Sequence, residues 1–262
     1  MIFRYESTIC DIDLSLIKNE RVPFFVLEKI LKGECTLTIT DKNDFIVCYS
    51  CEPHPIWIWT RDDASNEVMD TVLEILKKEF GFNGKYQFNS KVSFYEYARS
   101  KGYDIKAHLN LISYACPLPI LPKKQPKGEF VLATESDIDV AGNMIYDFQA
   151  SVGITSLPKE KCLEKAKSLI SQKRLFFIVN RGDIAAMCAY NPLDDIASIN
   201  CVYTLPSYRR CGYGAMIVYL VTRIVISEGY LPVLYADGNY MASNKCYQGI
   251  GYIQSGEIIT FE

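Results

Sequence analysis

The sequence is poor in the residues that several kinds of functional site require. It has only two histidines, His54 and His108, among 262 residues, which argues against a histidine-based triad and against a histidine-rich metal site. Lysine and arginine never occur more than two in a row, and the net charge is −3. A basic surface for nucleic acid or for an anionic membrane is therefore not indicated. We expect no nucleic acid, no membrane and no metal among its partners.

Long hydrophobic runs are also missing. The most apolar segment, residues 215–221, ends at Thr222, far short of the roughly 20 residues that span a bilayer. The first residues lack the basic start and apolar stretch of a signal peptide. We therefore expect a soluble, cytoplasmic protein, and its hydrophobic fraction of 49% is typical of a chain with a globular core.

Cysteine, by contrast, is abundant, with ten residues. Most of them have apolar neighbours, as buried free thiols do. Cys48 and Cys51 form a C-x-x-C pair followed by His54, but the sequence has no second pair at similar spacing. A zinc or redox site there is the alternative interpretation, and reduced thiols in a reducing cytosol are the favoured one.

A proline-rich stretch divides the chain. Four prolines between Pro117 and Pro126 exclude a helix and predict an extended connector. We place a domain boundary near residue 126, with an α/β module in residues 1–126 and a second domain in residues 127–262. In the first module Trp57 and Trp59 could line an acceptor pocket or pack between the two halves, and packing is favoured.

The second half has a regular succession of patterns. Hydrophobic periodicity and turn residues predict the order β-α-α-β-β-β-α-β-α-β-β, which is a mixed sheet with helices on its faces. Thr134 and Asp137 resemble a capping box. The last two strands, residues 252–254 and 257–261, are expected to form a hairpin through Ser255 and Gly256.

The first half is also an α/β sequence, but it contains no glycine-rich loop. Its patterns predict helices at residues 23–31, 67–80 and 94–99, and strands at residues 36–40, 45–49, 54–59 and 105–111.

One loop in the second half has the residues of an anion site. Residues 202–215 read Val-Tyr-Thr-Leu-Pro-Ser-Tyr-Arg-Arg-Cys-Gly-Tyr-Gly-Ala, which predicts a strand, a proline turn and then a helix. Gly212 and Gly214 would let the backbone approach a ligand, and the free N–H groups of the helix start would bind an anion such as pyrophosphate. Arg209 and Arg210 add positive charge. The alternative is that the glycines are ordinary turn residues.

With these features the sequence resembles the GNAT acetyltransferase superfamily. Its signature R/Q-x-x-G-x-G/A is met by Arg209, Gly212 and Gly214, and a second segment from Ser243 to Tyr252 is similar to the family's terminal segment. The two matches imply a GNAT fold over about residues 128–262. Because the superfamily includes chains with two such modules, residues 1–126 could be a degenerate GNAT-like module.

The resemblance implies acetyl-CoA as the acyl donor and assigns roles to residues. Pantetheine would pair with the backbone of Val202, Tyr203 and Thr204, in a gap that a β-bulge opens. Tyr247 would give a proton to the departing CoA thiolate, although it could also be a core aromatic with a satisfied hydroxyl. The remaining implied contacts are pyrophosphate with the amides of Arg210, Cys211, Gly212, Tyr213, Gly214 and Ala215, and pantetheine with Ser243 and Asn244. Asn239 is a further cofactor-binding candidate, but it lies one residue before the place of the asparagine in many relatives, so either the loop shifts register or this contact is lost.

The implied reaction is direct attack of a primary amine, on a small molecule or a protein, on acetyl-CoA. Relatives often carry an acidic base on the strand before the loop, but residues 197–204 contain no Asp or Glu. Asp194 and Asp195 lie in the preceding turn, where solvated carboxylates are favoured, so no base is assigned. A non-enzymatic acyl-CoA sensor or scaffold and transfer of a larger acyl group are the alternatives. The oligomeric state is expected to be monomer or homodimer.

Overall fold

The computed structural model describes residues 1–8, 12–33, 35–152 and 157–262. Backbone contacts divide them into two compact units. The first unit contains residues 1–113, 237–239 and 255–262, and the second contains residues 114–236 and 240–254. The four-proline connector belongs to the second unit, and the domain boundary near residue 126 stays a prediction.

The first half forms most of the first unit, with a sheet backed by helices. Its strands β1 to β4 pair antiparallel in chain order, and β5 lies parallel to β4. The predicted helices and strands are present, whereas β1, β5 and a 3-10 helix at Leu14–Glu20 were not predicted. The elements are β1 (Phe3–Thr8), α1 (Phe25–Leu31), β2 (Cys35–Thr40), β3 (Phe45–Tyr49), β4 (Ile56–Thr60), α2 (Asn66–Glu79), β5 (Phe88–Ser90), α3 (Val92–Ser100) and β6 (Ala107–Ala115).

The two tryptophans belong to the core of this unit. Trp57 and Trp59 are 3% and 2% exposed. The Trp57 ring meets Phe24 edge-on with 6.2 Å between centroids, and Nε1 of Trp59 donates to Oε2 of Glu20 at 2.8 Å. Both indoles therefore pack inside the first unit, with the polar atom of Trp59 satisfied.

The C-x-x-C pair does not act as a unit in this fold. Cys48 is buried on β3, with its Sγ 3.6 Å from Sγ of Cys35, whereas Cys51 is exposed. The nine cysteines among the described residues are free thiols, and Cys10 lies outside those residues. Within the described ranges no three His, Cys, Asp or Glu side chains form a group that could hold a metal.

The second half forms a mixed sheet in the predicted order up to its last strand. Strands β7, β8, β9 and β10 pair antiparallel in chain order, and β11 lies parallel to β10. The Thr134–Asp137 capping box is present. No helix in the described part of the chain combines the length and apolar character needed to cross a membrane. The elements are β7 (Glu129–Leu132), α4 (Ile138–Val152), α5 (Lys159–Ser171), β8 (Leu175–Asn180), β9 (Asp183–Leu193), β10 (Ile196–Thr204), α6 (Tyr213–Ser227), β11 (Leu231–Asp237), α7 (Met241–Ile250) and β12 (Ile253–Phe261).

The predicted C-terminal hairpin is wrong, because β12 is one continuous strand. Gly256 lies inside this strand rather than in a turn. A Cβ on Gly256 would come within 3.1 Å of the Pro23 side chain, and the Gly256 carbonyl accepts a hydrogen bond of 3.0 Å from Oγ of Ser113. Close packing, not chain reversal, explains the glycine at this position.

Helices α4 and α5 pack closely against one another. Their apolar faces, which include Ala141, Ile145 and Ala166, share a core cluster with Met187 and Tyr203 of the sheet. A Cβ on Gly142 would come within 2.5 Å of Cδ2 of Leu163 and 3.1 Å of its Cα. The missing side chain at residue 142 therefore sets how closely the two helices approach.

Replacing Gly142 with alanine should therefore destabilise the protein despite the better helix propensity of alanine. We expect a loss of about 1–3 kcal/mol of unfolding free energy from overpacking, measured by urea denaturation. Gly249→Ala is the matched control, because Gly249 is also helical but a Cβ there would have no atom within 4 Å. The control should gain up to about 1 kcal/mol. Equal effects in the two variants would contradict the packing explanation.

Candidate cofactor site and active site

Strand β10 is only partly paired with its parallel neighbour. Its pairing with β11 runs from Ile196 to Ser198, although β10 continues to Thr204. On its other side the register with β9 shifts between Asn200 and Tyr203, and Cys201 has a positive φ of 50°. The bulge that was predicted before the loop is thus present, and it lies where the described pairing with β11 has ended.

The glycine loop, residues 209–214, leads from this strand into α6. A 3-10 turn at Pro206–Tyr208 comes first, and Gly212 then caps α6 with a φ of 98°. The Gly212 carbonyl accepts the hydrogen bond from the Met216 amide at 3.0 Å. The amides before Met216 in the first turn have no partner within the helix, and the helix dipole is positive at this end. The loop therefore has the geometry of an anion site.

The side chains of the loop add charge, and one of them is tied to β10. Nε of Arg209 donates to the Thr204 carbonyl at 3.2 Å, and its guanidinium lies 5.8 Å from the centre of the Tyr203 ring. Arg209 and Arg210 are both exposed. A Cβ on Gly214 would come within 3.1 Å of Oγ1 of Thr204. Gly214 thus allows α6 to begin directly against the end of β10.

The connector lies against this loop. A Cβ on Gly212 would come within 2.7 Å of Cβ of Lys124. Nζ of Lys124 donates to the Arg210 carbonyl at 3.1 Å, and the Tyr213 hydroxyl donates to the Lys127 carbonyl at 2.9 Å. The sequence predicted an extended connector here, and nothing in its composition indicated that the connector packs against the glycine loop. Because Lys124 leaves no room for a side chain at residue 212, the connector is the close neighbour of Gly212.

Tyr247 lies on α7, and no hydrogen bond joins its hydroxyl to the described part of the chain. Its side chain is 9% exposed, and its ring contacts those of Tyr114 and Tyr252. The Tyr252 hydroxyl is hydrogen-bonded to Thr222 at 2.6 Å, whereas the Tyr247 hydroxyl has no hydrogen bond to any described residue. The ring packs as a core aromatic does, and the role of the Tyr247 hydroxyl stays a prediction.

Burial keeps the groups around this hydroxyl neutral. It raises the pKa of the Tyr247 phenol well above its usual value, with smaller contributions from Cys246 and Cys188. Burial also raises the pKa of the Cys246 thiol to about 11. Tyr247 is therefore a protonated donor at neutral pH, in a setting without a neighbouring thiolate.

The polar residues at the start of α7 make structural contacts. Asn244 is 8% exposed; its Oδ1 accepts from the Tyr114 hydroxyl at 2.9 Å, and its Nδ2 donates to the Tyr240 carbonyl at 3.0 Å. Ser243 also donates to that carbonyl at 3.0 Å. Asn239 is exposed in the turn after β11 and groups with the first unit. Cofactor contacts for Asn239, Ser243 and Asn244 remain predictions.

Asn200 is a candidate that the sequence analysis missed. Its Oδ1 is buried without a hydrogen-bond partner, while its Nδ2 donates to the Ser198 carbonyl at 3.2 Å. A buried acceptor without a partner is costly, and this one lies beside the bulge. Asp194 and Asp195, in contrast, are exposed at the opposite end of β10 from the glycine loop, as expected for turn carboxylates.

Replacing Gly212 with alanine tests the packing of the loop. The positive φ alone should cost about 1–2 kcal/mol, and the contact with Lys124 should add to that loss. Gly229→Ala is the control, because Gly229 has a φ of 89° and open space around it. We expect urea denaturation to give a larger loss for Gly212→Ala than for the control. Equal losses would show that contact with the connector contributes nothing.

The model of the acetyltransferase (GNAT) family matches residues 146–252, a range that includes β10, the glycine loop and Tyr247. No curated protein sequence matches the chain.

Solved structures match the whole chain at low identity. A GNAT-family acetyltransferase from Colwellia psychrerythraea has 14% identity and a TM-score of 0.62, with 100% of this chain and 99% of that chain covered. A GCN5-related N-acetyltransferase from Sphaerobacter thermophilus has 10% identity and a TM-score of 0.70, with 99% and 94% covered. One from Kribbella flavida has 15% identity and a TM-score of 0.56, with 83% and 85% covered.

At these identities the structural likeness shows the fold alone. A degenerate GNAT-like module in residues 1–126 therefore stays a prediction. The family match and the fold together support a transferase that uses an acyl-CoA donor. Residues 146–252 match the acetyltransferase (GNAT) family model, in a chain with the mixed α/β fold of GNAT acyltransferases.

Proposed function

We propose that the protein is an N-acetyltransferase, which moves an acetyl group from acetyl-CoA to a primary amine by direct attack. The observation that carries the proposal is the partly paired strand β10, which bulges after Asn200 and runs directly into the glycine loop at the start of α6. A strand edge offers hydrogen bonds to the amides of pantetheine, and a helix start offers amides to pyrophosphate.

The order of these features along the chain gives the direction of the cofactor. With pyrophosphate on the amides of residues 210–215, pantetheine extends back along Thr204, Tyr203 and Val202. Three residues of strand cover about 10 Å, so the acyl end lies toward the bulge and Asn200. The Thr204 carbonyl lies at the phosphate end of this path. It already accepts a hydrogen bond from Nε of Arg209 and is therefore partly shielded from pantetheine.

In the proposed reaction the neutral amine nitrogen attacks the thioester carbonyl carbon. The carbon–sulfur bond breaks, and the Tyr247 hydroxyl gives its proton to the CoA thiolate. Water then returns a proton to Tyr247 and takes the proton that the amine loses. Oδ1 of Asn200 accepts an N–H of the amine and orients it, because an amide oxygen accepts hydrogen bonds but is not a base at neutral pH.

A non-enzymatic acyl-CoA sensor is the second candidate. It is favoured by one observation, that β10 carries no carboxylate to serve as the base. Both hypotheses predict acetyl-CoA binding, and only the transferase hypothesis predicts turnover.

Calorimetry and a thiol-release assay distinguish these candidates. We expect acetyl-CoA to bind, and thioester cleavage to rise with at least one member of a panel of small amines and N-terminal or lysine peptides. Binding without cleavage across the panel would favour the sensor. The absence of binding would overturn both, and a preference for longer acyl-CoA chains would replace acetyl with a larger acyl group.

Tyr247→Phe should lower kcat by about 100-fold or more, as loss of a general acid does, without destabilising the fold. Its hydroxyl makes no hydrogen bond to the described residues, so the fold loses none. Tyr252→Phe is the matched control: it should cost about 1–3 kcal/mol of stability, because Thr222 loses its partner, and leave kcat largely intact. The proposed role of Tyr247 fails if both variants keep wild-type kcat.

The raised pKa of Tyr247 sets the pH dependence. A general acid must be protonated, and a raised pKa moves its deprotonation above the usual value near 10. We therefore expect no alkaline loss of kcat from Tyr247 below about pH 10. An alkaline decline near pH 8 that disappears in Tyr247→Phe would contradict the buried setting of this phenol.

A further inference from the structure

We propose that the connector is part of the cofactor site and that Lys124 provides a positive charge to the phosphate groups of CoA. This inference rests on the proposed function, because it needs CoA at the glycine loop. The family match begins at residue 146, so Lys124 lies outside the segment from which a cofactor role would be read.

The position of Lys124 is set by contacts on both sides. Its Nζ donates to the Arg210 carbonyl at 3.1 Å, and its Cβ lies over Gly212, which has no side chain to prevent the approach. Three residues further on, the Lys127 carbonyl accepts from the Tyr213 hydroxyl. The backbone around Lys124 is therefore held against the glycine loop, whose amides bind the pyrophosphate of CoA in the proposed function.

The ammonium group has donors to spare. It carries three N–H bonds, and the Arg210 carbonyl takes one of them in the described contacts. The side chain is exposed, as are those of Arg209 and Arg210. Lys124 thus adds a third positive charge to those of Arg209 and Arg210, and it would attract a phosphate that binds to the loop amides.

CoA carries phosphate at two places, the pyrophosphate and the 3′-phosphate. The contact with the Arg210 carbonyl lies at the start of the loop and fits either group. Dephospho-CoA, which lacks the 3′-phosphate, separates the two.

The test compares Lys124→Met with Lys123→Met. Methionine keeps an unbranched apolar stem over Gly212 and removes the charge. Lys123 is an adjacent, exposed lysine whose side chain makes no hydrogen bond or ion pair with the described residues, so its variant controls for net charge. Affinities for CoA and dephospho-CoA are measured by calorimetry at low and high salt.

We expect Lys124→Met to weaken CoA binding about five- to tenfold at low salt, and less at high salt because the lost interaction is screened. Lys123→Met should change the affinity by less than about twofold, because no described contact holds the Lys123 side chain at the glycine loop. A loss seen with CoA alone assigns Lys124 to the 3′-phosphate, and an equal loss with dephospho-CoA assigns it to the pyrophosphate.

Lys124→Gln separates charge from tethering, because glutamine can donate to the Arg210 carbonyl without a positive charge. Wild-type affinity in Lys124→Gln, or equal affinities in the two methionine variants, would overturn this inference while CoA binding by the wild type still supports the proposed function. Failure of the wild type to bind CoA would overturn both.

Discussion

The interrupted pairing between β10 and β11 is the constraint on which the candidate site depends. Three residue pairs hold the two strands together, from Ile196 to Ser198 on β10. Beyond them the register with β9 shifts at the bulge around Cys201, and the strand reaches Thr204 with part of its edge beyond the pairing with β11. A sheet edge with free backbone groups is a template for another extended chain, and in the proposed function that chain is pantetheine.

The two glycines of the loop serve packing within the protein. Gly214 lets α6 begin against Thr204, and Gly212 makes room for Lys124. Both contacts draw chain segments toward the helix start, where the dipole and the arginines favour an anion. The connector is thereby joined to the loop by two hydrogen bonds, one from Lys124 and one from Tyr213.

The three neighbouring tyrosines on and beside α7 differ in what their hydroxyls do. Those of Tyr114 and Tyr252 are hydrogen-bonded to Asn244 and Thr222 and fix the helix in place. The Tyr247 hydroxyl has no such partner in the described chain, and burial raises the pKa of its phenol above the usual value. In the proposed reaction, the hydrogen-bonded Tyr114 and Tyr252 hold Tyr247 in place, and the Tyr247 hydroxyl gives its proton to the leaving group.

The sequence by itself determined the elements of the second half up to its last strand, the strand–loop–helix start from Val202 to Ala215, and the position of Tyr247 on a helix. These follow from periodicity, proline and glycine, which act over a few neighbouring residues. The tertiary structure decided what distant residues do together. It made β12 continuous because Gly256 packs on Pro23 rather than turning, it placed Lys124 on the glycine loop, and it left Oδ1 of Asn200 buried without a partner. Such contacts depend on how closely separate segments approach, and local sequence carries no signal of that distance.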